Sequence, residues 1–273
     1  MCTIPPAPPP PPPPPPVLSE NRSPTKSPTT DSESPIYNYS DICKWASENP
    51  QLWEVCAKNS LCLHNAPFKY KYNQFESILQ VGPTCGLVAL SMLVKGEVAA
   101  DEILNITKLE GYTHNGEMFS CKYMAKLAKK VFSLAELDNI KYSVQNGGLF
   151  SQETIEKLLE GAVLLVPYDA DFNHSPCLRK GHTAHWALVC GVIVLEDPGD
   201  SYESKPDNVY VFSRHGKSRF LAAWDLDKLD KSNKNLWEFS PKKEADGLLY
   251  IFPEGGMGGE NGLRNQFLIF EGL

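Results

Sequence analysis

The sequence lacks the features that mark membrane, secreted and nucleic-acid-binding proteins. Its 273 residues contain no run of about 18 apolar residues that could span a bilayer. Its start has no charged segment followed by an apolar core, so we expect no secretory signal. A net charge of −7 gives nucleic acid and anionic membranes no electrostatic attraction. We therefore expect a cytoplasmic protein with neither a membrane nor a nucleic-acid partner.

Regular cysteine spacing and internal repeats are also missing. Eight cysteines are scattered between positions 2 and 190 without a fixed spacing. In a chain of this length we expect reduced thiols rather than a disulfide framework. A reactive cysteine is then a more useful hypothesis than a structural one.

Proline is plentiful and concentrated at the N-terminus. Residues 8–16 are nine consecutive prolines, which form a polyproline II rod of roughly 28 Å because proline fixes φ and has no N–H. The following stretch, NRSPTKSPTTDSESP, cannot bury a core. We predict a disordered proline-rich tail over 1–36 and one domain over 37–273. The rod is either a stiff spacer or a ligand for an aromatic-lined groove, and without flanking arginines it fits profilin better than SH3 domains.

Helical patterns precede strand-like patterns along the domain. The predicted helices are 40–45, 50–61, 85–93, 101–111, 121–132 and 152–161, and the predicted strands are 162–168, 185–195, 209–213 and 248–253. This order predicts an α+β fold, with N-terminal helices packed on a C-terminal antiparallel sheet.

One cysteine stands where a helix begins. In LQVGPTCGLVALSMLVKG (79–96), Gly82 and Pro83 mark a turn, Thr84 is an acceptable N-cap, and the apolar residues after Cys85 share one helix face. The macrodipole and unpaired N–H groups of a first turn favour a thiolate. The alternative is an inert buried cysteine.

A thiolate nucleophile needs a base and a donor for the oxyanion. His185 is the preferred base because it opens the strand HWALVCGVIVL, where it can face a helix N-terminus across a cleft. His182, in a loop, is the second choice, and His215 follows the next strand. Gln80, five residues before Cys85, can donate its amide to an oxyanion. A structural histidine and an exposed glutamine are the alternatives.

These residues carry a family resemblance over about residues 70–253. The glutamine, the cysteine-headed helix and the strand histidine resemble papain-like peptidases, particularly those that trim bacteriocin leader peptides. QVGPTCGLVAL, GHTAHWALVCGV and RHGKSR with LWEFSP resemble the actin maturation protease family more closely. The resemblance implies a papain-like cysteine aminopeptidase, without a cofactor, that removes the acetylated Met or Cys from new actin. Cys85 matches the nucleophile, His185 the base and Gln80 the oxyanion residue.

The sequence departs from the papain-like pattern at two points. The glutamine usually lies six residues before the cysteine, whereas Gln80 lies five before it. An Asn or Asp that orients the histidine usually follows on the next strand, which here ends in SRHGKS. Asp197 follows His185 too closely to lie on that strand. We leave the third position empty and predict a dyad.

Three other interpretations stay open. NHSPCLRKGHTAH holds four zinc-competent side chains, but their spacing matches no standard zinc finger and a zinc-bound His185 could not act as a base; these side chains are His174, Cys177, His182 and His185. We therefore predict no metal site. A papain-like shell could instead present the polyproline rod as an adaptor, or transfer the acyl group to an amine. The glycine-rich segment 255–262 lacks a following Lys-Ser/Thr and predicts a flexible loop.

The resemblance makes two demands on the cleft. A substrate with a blocked amine needs a closed apolar wall that fits a Met- or Cys-sized group. The acidic N-terminus of actin would be repelled by a net charge of −7 unless a local basic patch attracts it. Two clusters could supply that patch: Arg179 with Lys180, or, as we favour, Arg214, His215, Lys217 and Arg219 in RHGKSR.

Overall fold

The computed structural model describes residues 42–137 and 139–273. The proline-rich tail over 1–36 lies outside these residues, and so does the predicted helix start at residue 40. Among the described residues, no helix is both long enough and apolar enough to cross a membrane.

A seven-stranded antiparallel sheet organises the described chain. Its strands follow the order β2-β7-β3-β4-β5-β6. β1 pairs with residues 191–194 of β4, and β3 pairs with residues 184–189 of the same strand. All pairings are antiparallel. The strands are β1 (Lys69–Tyr72), β2 (Lys141–Asn146), β3 (Val163–Asp169), β4 (Ala184–Val194), β5 (Val209–Arg214), β6 (Ala222–Asp225) and β7 (Gln266–Glu271). The strand that begins beside His185, β4, is therefore central.

Seven α-helices accompany the sheet in the described residues: α1 (Pro50–Lys58), α2 (Cys85–Leu93), α3 (Ala100–Leu109), α4 (Cys121–Leu134), α5 (Gln152–Glu160), α6 (Leu226–Lys234) and the short α7 (Pro241–Glu244). Their starts follow ordinary capping chemistry. Pro50 opens α1, where its missing N–H costs nothing. The hydroxyls of Ser120 and Ser151 accept the N–H groups of Tyr123 and Thr154 and so cap α4 and α5.

The sheet is packed on both faces. Along β4, Trp186, Leu188 and Cys190 join the core formed with α1 to α4. Ala187 and Val189 join a second core that includes residues of α5 and α6. Because successive side chains of a strand point to opposite faces, one apolar strand serves both cores. That double burial explains why β4 reads as a nearly continuous apolar run.

The predicted α+β class is confirmed, but the division into N-terminal helices and C-terminal sheet is only partly right. Strands β1 and β2 precede α5, and α6 and α7 follow β6. The predicted strand 248–253 is wrong. This segment is irregular, and its Tyr250 and Phe252 rings pack against Phe119 and Phe239. Its apolar residues thus cover an aromatic cluster instead of pairing in the sheet.

Candidate active site

Cys85 is the first residue of α2, as predicted. Thr84 holds the N-cap position, but its hydroxyl donates to the carbonyl of Val81 at 2.9 Å and does not cap the helix. The backbone N–H groups of the first turn therefore have no side-chain cap. They remain available to a ligand at this end of the helix.

Helix α2 packs closely against the start of β4. A Cβ on Gly86 would lie 3.0 Å from Cδ1 of Trp186 and 2.7 Å from Cε of Met124, so a larger residue would force these side chains to shift. The indole N–H of Trp186 donates to the carbonyl of Met118 at 3.0 Å. Trp186 thereby fixes three elements around one point: helix α2, the strand that carries His185, and the loop before α4.

A cleft of about 350 Å³ opens where these elements meet. Gln80, Cys85 and His185 all line it, so the structure brings the three predicted site residues together. Further lining comes from apolar side chains, Met118, Phe119, Trp186 and Leu263, and from charged ones, Glu117, Lys217 and Lys243.

Gln80 is held beside the cleft by the turn after β5. Its backbone N–H donates to the carbonyl of Gly216 at 2.8 Å, and a Cβ on Gly216 would lie 2.9 Å from Cβ of Gln80. The side-chain Nε2 donates to the carbonyl of Gly82 at 2.6 Å. Since an amide nitrogen carries two hydrogens, the second is left for an oxyanion.

The proposed nucleophile and base are both neutral at rest. Burial raises the pKa of the Cys85 thiol, and the N–H groups of Trp186 and Gly86 offset this only in part. Burial also lowers the pKa of His185 to about 3, reinforced by the positive charges of nearby His215, His174, Lys217 and Lys243. Desolvation therefore outweighs the helix N-terminus, and the expected resting thiolate is replaced by a thiol beside a neutral imidazole.

A model of the actin maturation protease-like C-terminal domain matches residues 75–193. The actin maturation protease of Drosophila melanogaster is 41% identical over 249 residues, which cover 90% of this chain and 88% of that protein. The chain belongs to the actin maturation protease family.

Vertebrate members agree with this assignment. The Xenopus tropicalis actin maturation protease is 36% identical over 241 residues, 78% of either chain. The human one is 34% identical over 228 residues, 71% of this chain and 63% of that protein. The matched residues 75–193 include Gln80, Cys85 and His185. His215, Lys217 and Lys243 come after them in the chain.

His182, the second choice of base, and Asp197, considered as the group that orients His185, both lie away from the cleft. Nε2 of His182 lies 2.9 Å from Oε1 of Glu238, a surface pair that does not line the cleft. Asp197 lies beyond the opposite end of β4 from His185, roughly 30 Å along the strand. Asp197 is therefore excluded as the group that orients His185.

The predicted basic patch is only partly correct. Arg214 is fully buried and donates to the carbonyl of Arg219 at 2.9 Å and to the side chain of Gln51, so it is a structural residue. Arg179 pairs with Asp171 at 2.5 Å. Lys217 alone of these residues lines the cleft.

The four zinc-competent residues do not converge. His174 and His185 approach with ring centroids 6.3 Å apart, but His182 pairs with Glu238. Within residues 42–137 and 139–273, no three His, Cys, Asp or Glu side chains are grouped to hold a metal ion.

A buried carboxylate anchors the loop that leads to His185. Asp169, at the end of β3, accepts the backbone N–H of Gly181 at 3.0 Å, that of Thr183 at 3.1 Å and that of Arg179. The Thr183 hydroxyl donates to it at 2.7 Å. These bonds fix the chain before β4, so Asp169 positions His185 indirectly.

Sequence reasoning missed the far wall of the cleft. Glu117 and Phe119 come from the loop before α4, and Lys243 comes from α7, where its Nζ lies 3.9 Å from Oε1 of Glu117. No motif links these positions along the chain.

Proposed function

We propose that this protein is a cysteine aminopeptidase with a papain-like fold that removes the N-acetylated first residue, Met or Cys, from immature actin. One observation carries the proposal: Cys85 at a helix N-terminus, His185 at a strand start and Gln80 line a single cleft. The names of the relatives supply the direction, since each is an actin maturation protease.

The geometry supports acyl transfer through a thioester. His185 takes the thiol proton as Cys85 attacks the carbonyl of the acetylated residue, and the sulfur–carbon bond forms. The Cys85 N–H and Gln80 Nε2 donate to the oxyanion. His185 then protonates the departing amine as the carbon–nitrogen bond breaks. It next takes a proton from water, which attacks the thioester and releases the acetylated amino acid and the thiol.

The apolar wall of the cleft supports the proposed removal of a single blocked residue. Met118, Phe119 and Leu263 offer a surface for a Met- or Cys-sized side chain beside Cys85. Phe119 is backed by the rings of Phe239 and Phe252, with centroids 5.3 and 4.9 Å away. A backed wall resists displacement, so it favours a chain end over an internal peptide segment.

The proposal is tested with matched actin N-terminal peptides that carry either an acetyl group or a free amine. We expect mass spectrometry to show release of the acetylated amino acid, with kcat/KM at least tenfold higher for the blocked peptide, because a charged amine is costly in an apolar pocket. Equal cleavage of both peptides, or internal cuts, would refute the proposal. Addition of a primary amine tests the transferase alternative, which requires the acetyl-amino acid to appear as an amide.

Lys217 is the candidate reader of acidic residues after the cleaved bond. It is exposed, lines the cleft and adjoins Gly216, whose backbone holds Gln80. We expect Lys217→Ala to raise KM for acidic peptides up to about fivefold, the scale of one exposed charge contact. The salt dependence of kcat/KM for acidic peptides should also weaken, whereas kcat/KM for peptides with neutral residues should be unchanged.

The matched control for that prediction is Lys95→Ala. Lys95 is an exposed lysine just after the far end of α2 from Cys85. If Lys217→Ala and Lys95→Ala behave alike, or if neutral and acidic peptides lose equally, Lys217 does not read the substrate.

Profilin binding by the proline-rich tail stays a prediction from the sequence, because 1–36 lie outside the described residues. A bound profilin–actin complex would raise the local concentration of substrate at the cleft. Calorimetry of profilin against a synthetic 1–36 peptide measures the interaction directly, and no heat of binding would leave the tail as a spacer.

A further inference from the structure

Three imidazole rings cluster beside the cleft, and of the three only His185 lines it. The centroid of His185 lies 6.0 Å from that of His215 and 6.3 Å from that of His174, and the last two are 5.5 Å apart. The rings meet differently. His174 stacks on His185 with an interplanar angle of 25°, whereas His215 stands at 73° to it.

Two nitrogens of this cluster are buried without a hydrogen-bond partner: Nε2 of His185 and Nδ1 of His215. A buried polar atom left unpaired costs free energy, so two such atoms on neighbouring rings require an explanation. Burial of Nε2 also leaves Nδ1 of His185 to act on the thiol of Cys85. The nitrogen that faces away from the cleft is the one that an orienting group would hold.

The fold places His215 where such a group belongs. It follows β5, the strand that pairs with β4, and Leu188 of β4 lies opposite Arg214. Its side chain is 4% exposed and stacks on Trp224 at a centroid distance of 5.8 Å and 21°. The ring is therefore fixed by packing.

We propose that His215 is the positioning residue of His185, accepting a hydrogen bond at Nδ1 from the Nε2–H of His185. This inference rests on the proposed function. A direct N–H···N bond of about 3 Å would bring imidazole centroids to roughly 5 Å, so a shift of about 1 Å pairs the two nitrogens. Such bonds commonly tighten when substrate binds. His174 is the weaker candidate, because it is half-buried and neither of its ring nitrogens is among the buried atoms without a partner.

A histidine in this position differs from a carboxylate in one respect: it is neutral. Burial, with the positive charges of His174 and Arg214, lowers the pKa of His215 to about 4, so its Nδ1 accepts throughout the neutral range. A neutral acceptor fixes the tautomer and orientation of His185 without adding the ion-pair stabilisation that a carboxylate gives its charged form. The remaining groups that face His185 are Lys217, Lys243, His174, Tyr168 and the thiol of Cys85.

The test compares three substitutions at His215 with one at His174. His215→Ala should lower kcat about 10- to 100-fold at unchanged KM, the scale of losing the outer partner of a functional histidine. His215→Asn places Oδ1 where Nδ1 stood and should restore most of kcat. His215→Asp should move the acid limb of the kcat/KM profile upward by about 1–3 pH units, because a carboxylate stabilises protonated His185.

The matched control is His174→Asn. Asparagine tolerates the backbone φ of 63° at this position, and the substitution should change kcat less than threefold. Thermal unfolding of every variant checks the fold. Equal losses for His215→Ala and His215→Asn, or no loss for either, would overturn the proposal.

A readout that does not depend on turnover separates this inference from the proposed function. In the nitrogen NMR spectrum of the wild-type protein, His185 should carry its proton on Nε2 at neutral pH. The tautomer should become mixed in His215→Ala and return to Nε2–H in His215→Asn. A wild-type protein without peptidase activity but with this pattern would refute the proposed function alone. An Nδ1–H tautomer in a wild-type protein that does release the acetylated amino acid would refute the inference and leave the proposed function standing.

Discussion

Replacing Cys85 with serine is expected to abolish removal of the acetylated residue, with a loss in kcat/KM of roughly 10³-fold or more. Serine keeps the size of the side chain but is a poor nucleophile without a strong base. His185 is a weak base here, since its pKa is lowered to about 3. Mass spectrometry of actin N-termini after incubation with each variant measures the effect.

Cys121→Ser is the matched control for Cys85→Ser. Cys121 is also a buried cysteine and also the first residue of a helix, α4, but it does not line the cleft. We expect Cys121→Ser to retain activity after correction for any loss of folded protein. Comparable activity of Cys85→Ser and the wild type would contradict the assigned nucleophile.

The sequence predicted the residues of the site better than the walls around them. Gln80 and Cys85 share one short segment, and His185 opens a strand that apolar residues mark clearly. Local patterns were therefore sufficient to single out three residues that the structure places in one cleft. Their meeting in one cleft depends on Gly86 and Trp186, whose contact joins α2 to β4. That contact spans 100 positions, and no local pattern encodes it.

Three of the four missed strands gave weak local signals, whereas the fourth, β7, was missed although five of its six residues are buried. All four residues of β1 and the ends of β2 are solvent-exposed or half-buried, so polar residues alternate irregularly there. Strand β6 has only four residues. By contrast, 248–253 is apolar enough to resemble a strand, but its rings pack on Phe119 and Phe239. Apolar content predicts that a segment is buried. Whether the buried segment forms a strand depends on whether it packs against side chains or pairs with another strand.

His215 shows a different limit of sequence reasoning. The segment SRHGKS offers neither a carboxylate nor an amide, and a search for those groups passes over it. In the structure, Nδ1 of His215 and Nε2 of His185 are both buried without partners. These unpaired atoms, rather than the residue type, point to His215. Arg214, one position earlier, looked like a substrate-binding residue but is fully buried. Neighbours on a strand end thus take opposite roles according to the face they occupy.

The second large effect is expected at His185. His185→Ala should lower kcat/KM about 10²-fold or more, the contribution of a positioned general base. The loss should appear in kcat rather than KM, because the imidazole transfers protons in the transition state and does not contribute to substrate affinity. Steady-state kinetics on an acetylated peptide separates the two parameters.

His182→Ala is the matched control for His185→Ala, three residues away on the same segment. His182 faces Glu238 on the surface, with its side chain 35% exposed, so its loss breaks a pair that contributes little. We expect nearly full activity. The wild-type profile should also lack an acid limb near pH 6.5, since a base with a pKa of about 3 stays neutral far below that value. A severe defect in His182→Ala with a mild one in His185→Ala would transfer the role of base to His182, and the cleft would then need a loop rearrangement to bring it to Cys85.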